Sequence, residues 1–160
     1  MSTHPYRKRI LKEYKELQKN LLPGIVLLGD VLDTSKFLFS IEIPPDQDGV
    51  LHSIYKDDKY ILQFIITPLY PVDSPQVQFI IHNNSRIPMH PHIYSNGHIC
   101  LDILGTGWTP ACSMESILLS IQSMLSTNVL NDRPEGNSRY VLSAPLNPKK
   151  TSFVYDDDSV

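Results

Sequence analysis

Cysteine is scarce in this chain, and long apolar runs are missing. Two cysteines, Cys100 and Cys112, occur in 160 residues, and a domain of that length does not depend on disulfide bridges. We therefore expect both thiols to be reduced, as in a cytosolic or nuclear protein. No run approaches the roughly 18 apolar residues of a membrane-spanning helix, and the N-terminus lacks the apolar segment of a secretory signal peptide.

A strong excess of charge is also missing. The net charge is −3, which gives no general reason to expect a nucleic-acid partner. The chain contains no internal repeat and no low-complexity tract. With 41% hydrophobic residues, it suits one globular domain, which we place at residues 1–144, followed by a tail at 145–160 that we expect to be flexible.

The spacing of apolar residues predicts one helix and then four strands. Apolar side chains recur at helical spacing over residues 5–21, and Pro23-Gly24 ends that pattern. Alternating or continuously apolar runs predict strands at 24–28, 36–43, 59–66 and 76–81. Because short connections join these runs in sequence, we expect an antiparallel meander.

A second helical pattern lies after the predicted strands. It covers residues 114–125, where Ser113 is suited to cap the helix and Glu115 lies at the positive end of its dipole. Residues 137–144 predict a short helix, because two prolines follow soon after. The predicted fold class is α+β: an N-terminal helix, a four-stranded meander, a polar loop, a long helix and a short C-terminal helical segment.

The polar loop before the long helix contains the most informative cysteine. His90-Pro91 predicts an extended or turned dipeptide, and Ser-Asn-Gly at 95–97 predicts a tight turn. Cys100 follows that turn, where we expect it to be displayed. Two interpretations are open: a small apolar core residue, or a nucleophile whose pKa and oxyanion are influenced by the histidines and amides just upstream.

Four groups of residues resemble the active-site run of ubiquitin-conjugating enzymes. They are His90-Pro91, Tyr-Ser-Asn-Gly at 94–97, Ile-Cys-Leu-Asp-Ile-Leu at 99–104, and Trp-Thr-Pro-Ala at 108–111. In that family a His-Pro-Asn triplet ends eight residues before the catalytic cysteine, and here His92 lies eight residues before Cys100. Histidine in place of asparagine is similar to the W-type branch, which is associated with conjugation of ubiquitin to protein N-termini.

The resemblance implies that Cys100 carries ubiquitin as a thioester and passes it to an amine. It implies no cofactor in this chain, since the activating enzyme uses the ATP. His92 either donates an N–H into the site or only holds the loop by a hydrogen bond. Asn137 is the best match to the residue that orients the incoming amine. The other predicted members of the active-site loop are His90, Pro91, Asn96 and Asp102.

The resemblance also implies a set of protein partners. They are ubiquitin, the activating enzyme, ligases of the RING or U-box type, and protein substrates, with neither nucleic acid nor membrane among them. The predicted contact residues are expected at one end of the domain or along the first helix: Lys8, Arg9, Lys12, Val72, Pro110 and Ala111. In the family the position of Val72 is often aromatic, so its smaller side chain bears on the choice of ligase.

Several alternatives remain open from the sequence. The same enzyme class accommodates lysine acceptors or a ubiquitin-like modifier. A non-catalytic ubiquitin-binding module has the same fold, but such relatives lack the cysteine. His90, His92, His98 and Cys100 are residue types that bind zinc, although their spacing is not a usual zinc signature. No Cys-x-x-Cys and no cysteine-protease signature surrounds Cys100, which disfavours an oxidoreductase or a thiol protease.

Overall fold

A four-stranded antiparallel sheet is the centre of the fold. The computed structural model of the protein describes residues 4–20, 22–29, 33–56 and 58–151. Strands β1 to β4 pair in sequence order, which confirms the predicted meander. Each predicted strand extends one or two residues beyond the observed one, because the apolar pattern continues into the adjoining turns. The observed strands are Ile25–Leu28, Lys36–Ile41, Tyr60–Ile65 and Gln76–Ile80.

The alternation along β2 places one face of the sheet in the core. Phe37, Phe39 and Ile41 are buried, while the residues between them are only half-buried. Phe39 lies opposite Leu62 of β3 and packs edge to face against Phe64, with ring centroids 5.1 Å apart. Aromatic pairs favour this geometry because the positive ring edge meets the negative ring face. The sheet is therefore fixed by side-chain packing as well as by its ladder.

The described residues include three α-helices. They are α1 at Arg7–Lys19, α2 at Met114–Ser126 and α3 at Asn137–Ser143. Short 3-10 helices cover Asp102–Leu104 and Pro148–Lys150. No helix within the described residues is long and apolar enough to cross a bilayer.

The predicted start of α2 agrees with the structure, whereas the predicted α1 is longer than the observed helix. The predicted cap of α2 is confirmed: Ser113 Oγ accepts the Ser116 N–H at 3.2 Å, and Ser116 Oγ accepts the Ser113 N–H at 2.6 Å. This reciprocal pair is a capping box. The prediction for α1 was too long, since residues 5 and 6 form a turn and Asn20 is already extended. Leu21 lies outside the described residues.

Glu13 joins α1 to the start of α2. Its side chain is buried, although charged residues surround it in the sequence. Oε1 accepts the Met114 N–H at 2.8 Å, and Oε2 accepts bonds from Arg9 Nε and the Tyr70 hydroxyl. A buried carboxylate needs such donors to offset its lost hydration, so Glu13 fixes α1 against the end of the domain that contains Tyr70.

Residues 145–151 lie against the edge of the sheet. Pro148 is buried, and Lys149 Nζ donates to the Ser74 carbonyl and to Ser74 Oγ. Partial burial lowers the pKa of Lys149. The domain boundary at residue 144 and the flexible tail remain predictions, because residues 152–160 lie outside the described residues.

Candidate active site

Cys100 lies in a segment with little regular structure, residues 87–104, which we call the site stretch. The predicted turn at its centre is confirmed, since the Gly97 N–H donates to the Tyr94 carbonyl at 2.9 Å. Gly97 has φ +93°, and a Cβ there would lie 1.9 Å from the Phe79 carbonyl oxygen. Only glycine fits this close approach. The Phe79 N–H donates to the Gly97 carbonyl at 3.0 Å, which fastens the turn to β4.

The Cys100 thiol is half-buried, not fully displayed as expected from the turn. Its backbone N–H donates to the His92 carbonyl at 2.8 Å. Burial raises the pKa of the Cys100 thiol, so the neutral thiol predominates at neutral pH. The site does not store a thiolate, and the proton must leave when the sulfur attacks.

His90 holds the site stretch in its neutral form. Its Nδ1 accepts the His92 N–H at 2.8 Å, so Nε2 carries the proton and donates to the Met124 carbonyl at 3.2 Å. Burial, with a smaller contribution from the nearby His92, lowers the pKa of His90 to about 4. Both ring nitrogens are engaged within the protein, so His90 is unavailable as a zinc ligand. No cluster of metal-binding side chains occurs among the residues described.

His92 contacts Cys100 through its backbone in this structure. The His92 and His90 rings lie 5.4 Å apart between centroids, and the bond to the Cys100 N–H uses the His92 carbonyl. The structure thus places the His92 backbone beside the cysteine. The donation of a ring N–H into the site stays a prediction.

Asn137 contacts the turn before Cys100. Its Oδ1 accepts the Ser95 N–H at 2.9 Å, and its Nδ2 donates to Ser95 Oγ at 3.1 Å. Both ends of the amide therefore hold α3 against the turn, and its predicted role toward an incoming amine stays a prediction. Asn96, also predicted in the loop, accepts the His98 N–H at 3.1 Å, and so closes the same turn.

The remaining predicted loop residues have local roles. Pro91 lies between the two histidines and is half-buried. Asp102 begins the 3-10 helix, and its carbonyl accepts the N–H groups of Gly105 and Gly107, both at 2.8 Å. These bonds shape the chain that leaves Cys100.

The sequence did not predict an aromatic cluster that lies close to Cys100. The rings of Tyr94 and Tyr140 stack with centroids 3.9 Å apart, and burial, with a smaller contribution from Cys100, raises the pKa of both hydroxyls. Tyr140 shares a hydrogen bond of 2.7 Å with His98 Nδ1 and donates to Thr151 Oγ1 at 3.2 Å. No local sequence signal relates two tyrosines separated by α2, so only the fold reveals the cluster.

A buried tyrosine before β3 also holds the site stretch. The Tyr55 hydroxyl donates to the Met89 carbonyl and accepts from Asn128 Nδ2 at 2.6 Å. Tyr55 is 1% exposed, although it lies in a polar segment of sequence. That contrast between a large aromatic residue and polar neighbours was the one available signal for this contact.

Hydrogen bonds made by Arg9 and Trp108 bring the segments that contain Pro110 and Val72 to one end of the domain. Arg9 Nη1 donates to the Pro110 carbonyl at 3.0 Å, and Nη2 donates to the Cys112 carbonyl at 2.6 Å. Trp108 Nε1 donates to the Pro71 carbonyl at 2.9 Å, which brings the segment containing Val72 to the same end. Because the guanidinium of Arg9 already bonds within the chain, its first role is to position these loops.

Five of the six predicted partner residues are exposed. Val72 is 57% exposed, and Pro110 and Ala111 are exposed as well. Lys8 and Lys12 are exposed along α1. Their contacts with the activating enzyme stay a prediction.

The sequence matches a known protein family over most of its length. A family model described as "Ubiquitin-conjugating enzyme" matches residues 9–147. The chain belongs to the ubiquitin-conjugating enzyme family. It is therefore a transferase of the ubiquitin conjugation pathway.

Among its relatives are W-type enzymes that match nearly the whole chain. A probable ubiquitin-conjugating enzyme E2 W-A from Danio rerio is 42% identical over 153 residues, covering 96% of this chain and 97% of the relative. A probable E2 W from Dictyostelium discoideum is 44% identical over 161 residues, covering 99% of each. The crystal structure of UbcA1 from Agrocybe aegerita aligns with a TM-score of 0.80 and 43% identity, covering 89% of this chain and 96% of that one.

Proposed function

We propose that this enzyme accepts ubiquitin from the activating enzyme as a thioester on Cys100 and transfers it to substrate amines, including protein α-amines. The observation that carries the proposal is the half-buried Cys100, held by the His92 carbonyl in the family's site stretch. In the first step the Cys100 sulfur attacks the thioester carbonyl, a new S–C bond forms, and the activating enzyme's thiol leaves. In the second step an amine attacks, an amide forms, and the Cys100 thiol is released.

Proton balance fits this sequence of steps. The raised pKa of Cys100 means that a proton leaves the sulfur during attack, and the departing thiolate of the activating enzyme is available to accept it. No cofactor enters either step, because the thioester is already an activated acyl group. The activating enzyme consumes the ATP.

The acceptor class follows from amine basicity. At pH 7 a lysine side chain with an ordinary pKa is neutral about 0.04% of the time, whereas an α-amine is neutral about 14% of the time. The residue at the predicted orienting position is Asn137, whose amide cannot act as a base. An acceptor that is already partly neutral has less need of a carboxylate, and this supports α-amines as substrates.

Charging is the first test of the proposal. The full chain is incubated with activating enzyme, ATP and ubiquitin, and the products are separated with and without a reducing agent. We expect a thiol-sensitive adduct that is absent in Cys100→Ala and present in Cys112→Ala. No adduct with ubiquitin would contradict the proposal, and an adduct with a ubiquitin-like modifier instead would change the cargo. Failure with all modifiers would favour a non-catalytic binding module.

Discharge identifies the acceptor. The charged enzyme is mixed with matched peptides that carry a free N-terminus, an acetylated N-terminus, or an acetylated N-terminus with a lysine. We expect modification of the first peptide only. Equal modification of the lysine peptide would contradict the N-terminal part of the proposal and leave the thioester part intact.

The ligase surface is best tested away from Arg9. Reversal of charge at Arg9 would break its bonds to Glu13, Pro110 and Cys112, so the loops themselves would change. Val72→Asp places a charge on an exposed apolar position without removing a described hydrogen bond. We expect weaker stimulation by a RING or U-box ligase with unstimulated discharge retained. Undiminished stimulation would exclude this surface.

A further inference from the structure

Arg133, in the loop between α2 and α3, donates hydrogen bonds to the site stretch. Arg133 Nη1 donates to the Pro88 carbonyl and, at 3.1 Å, to the Ile93 carbonyl. Arg133 Nη2 donates to the Ile87 carbonyl at 2.9 Å. The guanidinium is partly buried, which lowers the pKa of Arg133, but an arginine remains protonated at neutral pH. One side chain thus binds three backbone carbonyls.

These three carbonyls lie on either side of the two histidines. Pro88 precedes His90, and Ile93 directly follows His92, whose own carbonyl binds the Cys100 N–H. Arg133 therefore fixes both ends of residues 88–93, and the His92 carbonyl within that segment binds the Cys100 N–H. Buried carbonyls require such donors, and no regular ladder supplies them in this segment, where only isolated bridges are present.

Two further side chains, both from α3, also contact the site stretch. Asn137 binds Ser95, and Tyr140 stacks on Tyr94. Residues 137 and 140 are three positions apart on α3, so their side chains lie on one face of that helix and contact the adjacent residues Ser95 and Tyr94. Arg133, in the loop before α3, contacts the part of the site stretch nearest the His92 carbonyl.

We propose that Arg133 is a positioning residue for acyl transfer at Cys100, acting through the three carbonyls of the site stretch. This inference rests on the proposed function, because it assigns a role in the thioester reaction. Its physical basis is preorganisation: a reacting group misplaced by about 1 Å can lose roughly a hundredfold in rate. The planar fork of arginine can address several carbonyls at once, whereas a lysine ammonium is a single point of donation.

The test compares two substitutions at Arg133 with the same two at Arg139. Arg133→Met removes all donors and keeps much of the volume, and Arg133→Lys keeps the charge but not the fork. Arg139 is exposed on α3, so Arg139→Met and Arg139→Lys are matched controls. Every variant is made in the full chain, and its melting temperature is measured so that rates are compared where all variants are folded.

The first readout is single-turnover discharge of the charged enzyme to hydroxylamine and to a peptide α-amine. We expect Arg133→Met to slow both reactions by roughly tenfold, Arg133→Lys to be intermediate, and both Arg139 variants to match the unmodified enzyme. Hydroxylamine is small, so a loss with it reports on the thioester site and not on peptide binding. Unchanged rates in Arg133→Met would overturn the proposal while leaving the proposed function intact.

The second readout is alkylation of Cys100 as a function of pH, measured in a Cys112→Ser background. If Arg133 keeps the site stretch closed around the thiol, its loss admits water, and the alkylation midpoint moves down toward the ordinary thiol value. A midpoint that does not move in Arg133→Met would overturn the proposal. If Arg133→Met does not fold, Arg133→Lys decides, since discharge at the unmodified rate would then overturn it. Failure of the unmodified enzyme to charge would instead refute the proposed function.

Discussion

The sheet and the site stretch meet the same physical requirement in opposite ways. In the sheet, neighbouring strands satisfy one another's N–H and C=O groups, with Phe39 opposite Leu62 in an unbroken register. In the site stretch, backbone carbonyls are bound by side chains from distant segments, namely Tyr55 and Arg133. Carbonyls of a segment without a ladder can thus still be bound, and the segment can bend sharply enough to present a cysteine.

Because the two regions are held in different ways, we expect substitutions in them to have different effects on stability and activity. A residue removed from the sheet leaves a cavity, and the cost appears in the free energy of unfolding. A donor removed from the site stretch leaves a carbonyl unpaired, and the cost falls on the geometry around Cys100 as well. The four substitutions below test this contrast, from the largest expected effect on stability to the smallest.

Phe39→Ala should produce the largest loss of stability. Phe39 is 1% exposed and packs against Phe64, and truncation of a buried phenylalanine costs about 3–5 kcal/mol. Urea denaturation measures the loss, and the charging rate per folded molecule should remain close to that of the unmodified enzyme. A loss below about 1 kcal/mol would contradict the assignment of Phe39 to the core.

His90→Gln should remove a pH dependence from the site stretch. The pKa of His90 is lowered to about 4, so between pH 6.5 and about 4 the unfolded chain binds the proton more readily. Stability is therefore fully present above about pH 6.5 and is lost as the pH falls toward 4, by up to about 3 kcal/mol. Glutamine offers one acceptor and one donor without titrating.

The measurement for His90→Gln is urea denaturation at pH 7.5 and pH 4.5. We expect the unmodified enzyme to lose about 2 kcal/mol more than the variant across this interval. His98, whose pKa burial also lowers, is present in both proteins and cancels in the comparison. Equal losses would show that the bonds of His90 do not keep it neutral.

Tyr55→Phe should lower stability less than Phe39→Ala does, and it should lower activity more. The change removes the hydroxyl between Met89 and Asn128, and an unpaired buried group costs about 1–3 kcal/mol. The matched control is Tyr14→Phe, because the Tyr14 hydroxyl bonds only to exposed Gln18 in the described contacts. We expect slower charging in Tyr55→Phe than in Tyr14→Phe; equal charging rates would break the proposed contrast between sheet and site stretch.

Asn137→Asp should have the smallest effect on stability, below about 1 kcal/mol. The carboxylate still accepts the Ser95 N–H, and that contact is exposed. If the amide limits the enzyme to acceptors that are already neutral, a carboxylate at this position should raise discharge to a lysine peptide relative to an α-amine peptide. An unchanged ratio of the two discharge rates would exclude Asn137 from the choice of acceptor.

Local patterns in the sequence were enough to predict the regular elements. Period-2 alternation predicted β2, helical spacing with Ser113 predicted α2, and Ser-Asn-Gly predicted the turn at Gly97. Each of these signals lies within a few residues of the element it specifies. For that reason the strands and the long helix were predicted with errors of only one or two residues at their ends.

The side chains that hold the site stretch in place could not be predicted from local patterns. Arg133, Tyr55 and Tyr140 act on residues 34 to 46 positions away, and no local pattern marks such a pair. The family resemblance correctly brought His92 close to Cys100, but it could not show that the contact uses the backbone. Similarly, the resemblance implied a partner contact for Arg9, while the structure engages its guanidinium in bonds to the Pro110 and Cys112 carbonyls of the same chain.

The bond between Phe79 and Gly97 has a consequence for solubility. β4 is an outer strand of the sheet, and an outer strand with open N–H and C=O groups is a template on which another molecule can add a strand. The Phe79 N–H is already taken by the Gly97 carbonyl, and the turn lies against the strand at that point. The segment that presents the cysteine therefore also shields the β4 edge at Phe79 from pairing with another strand.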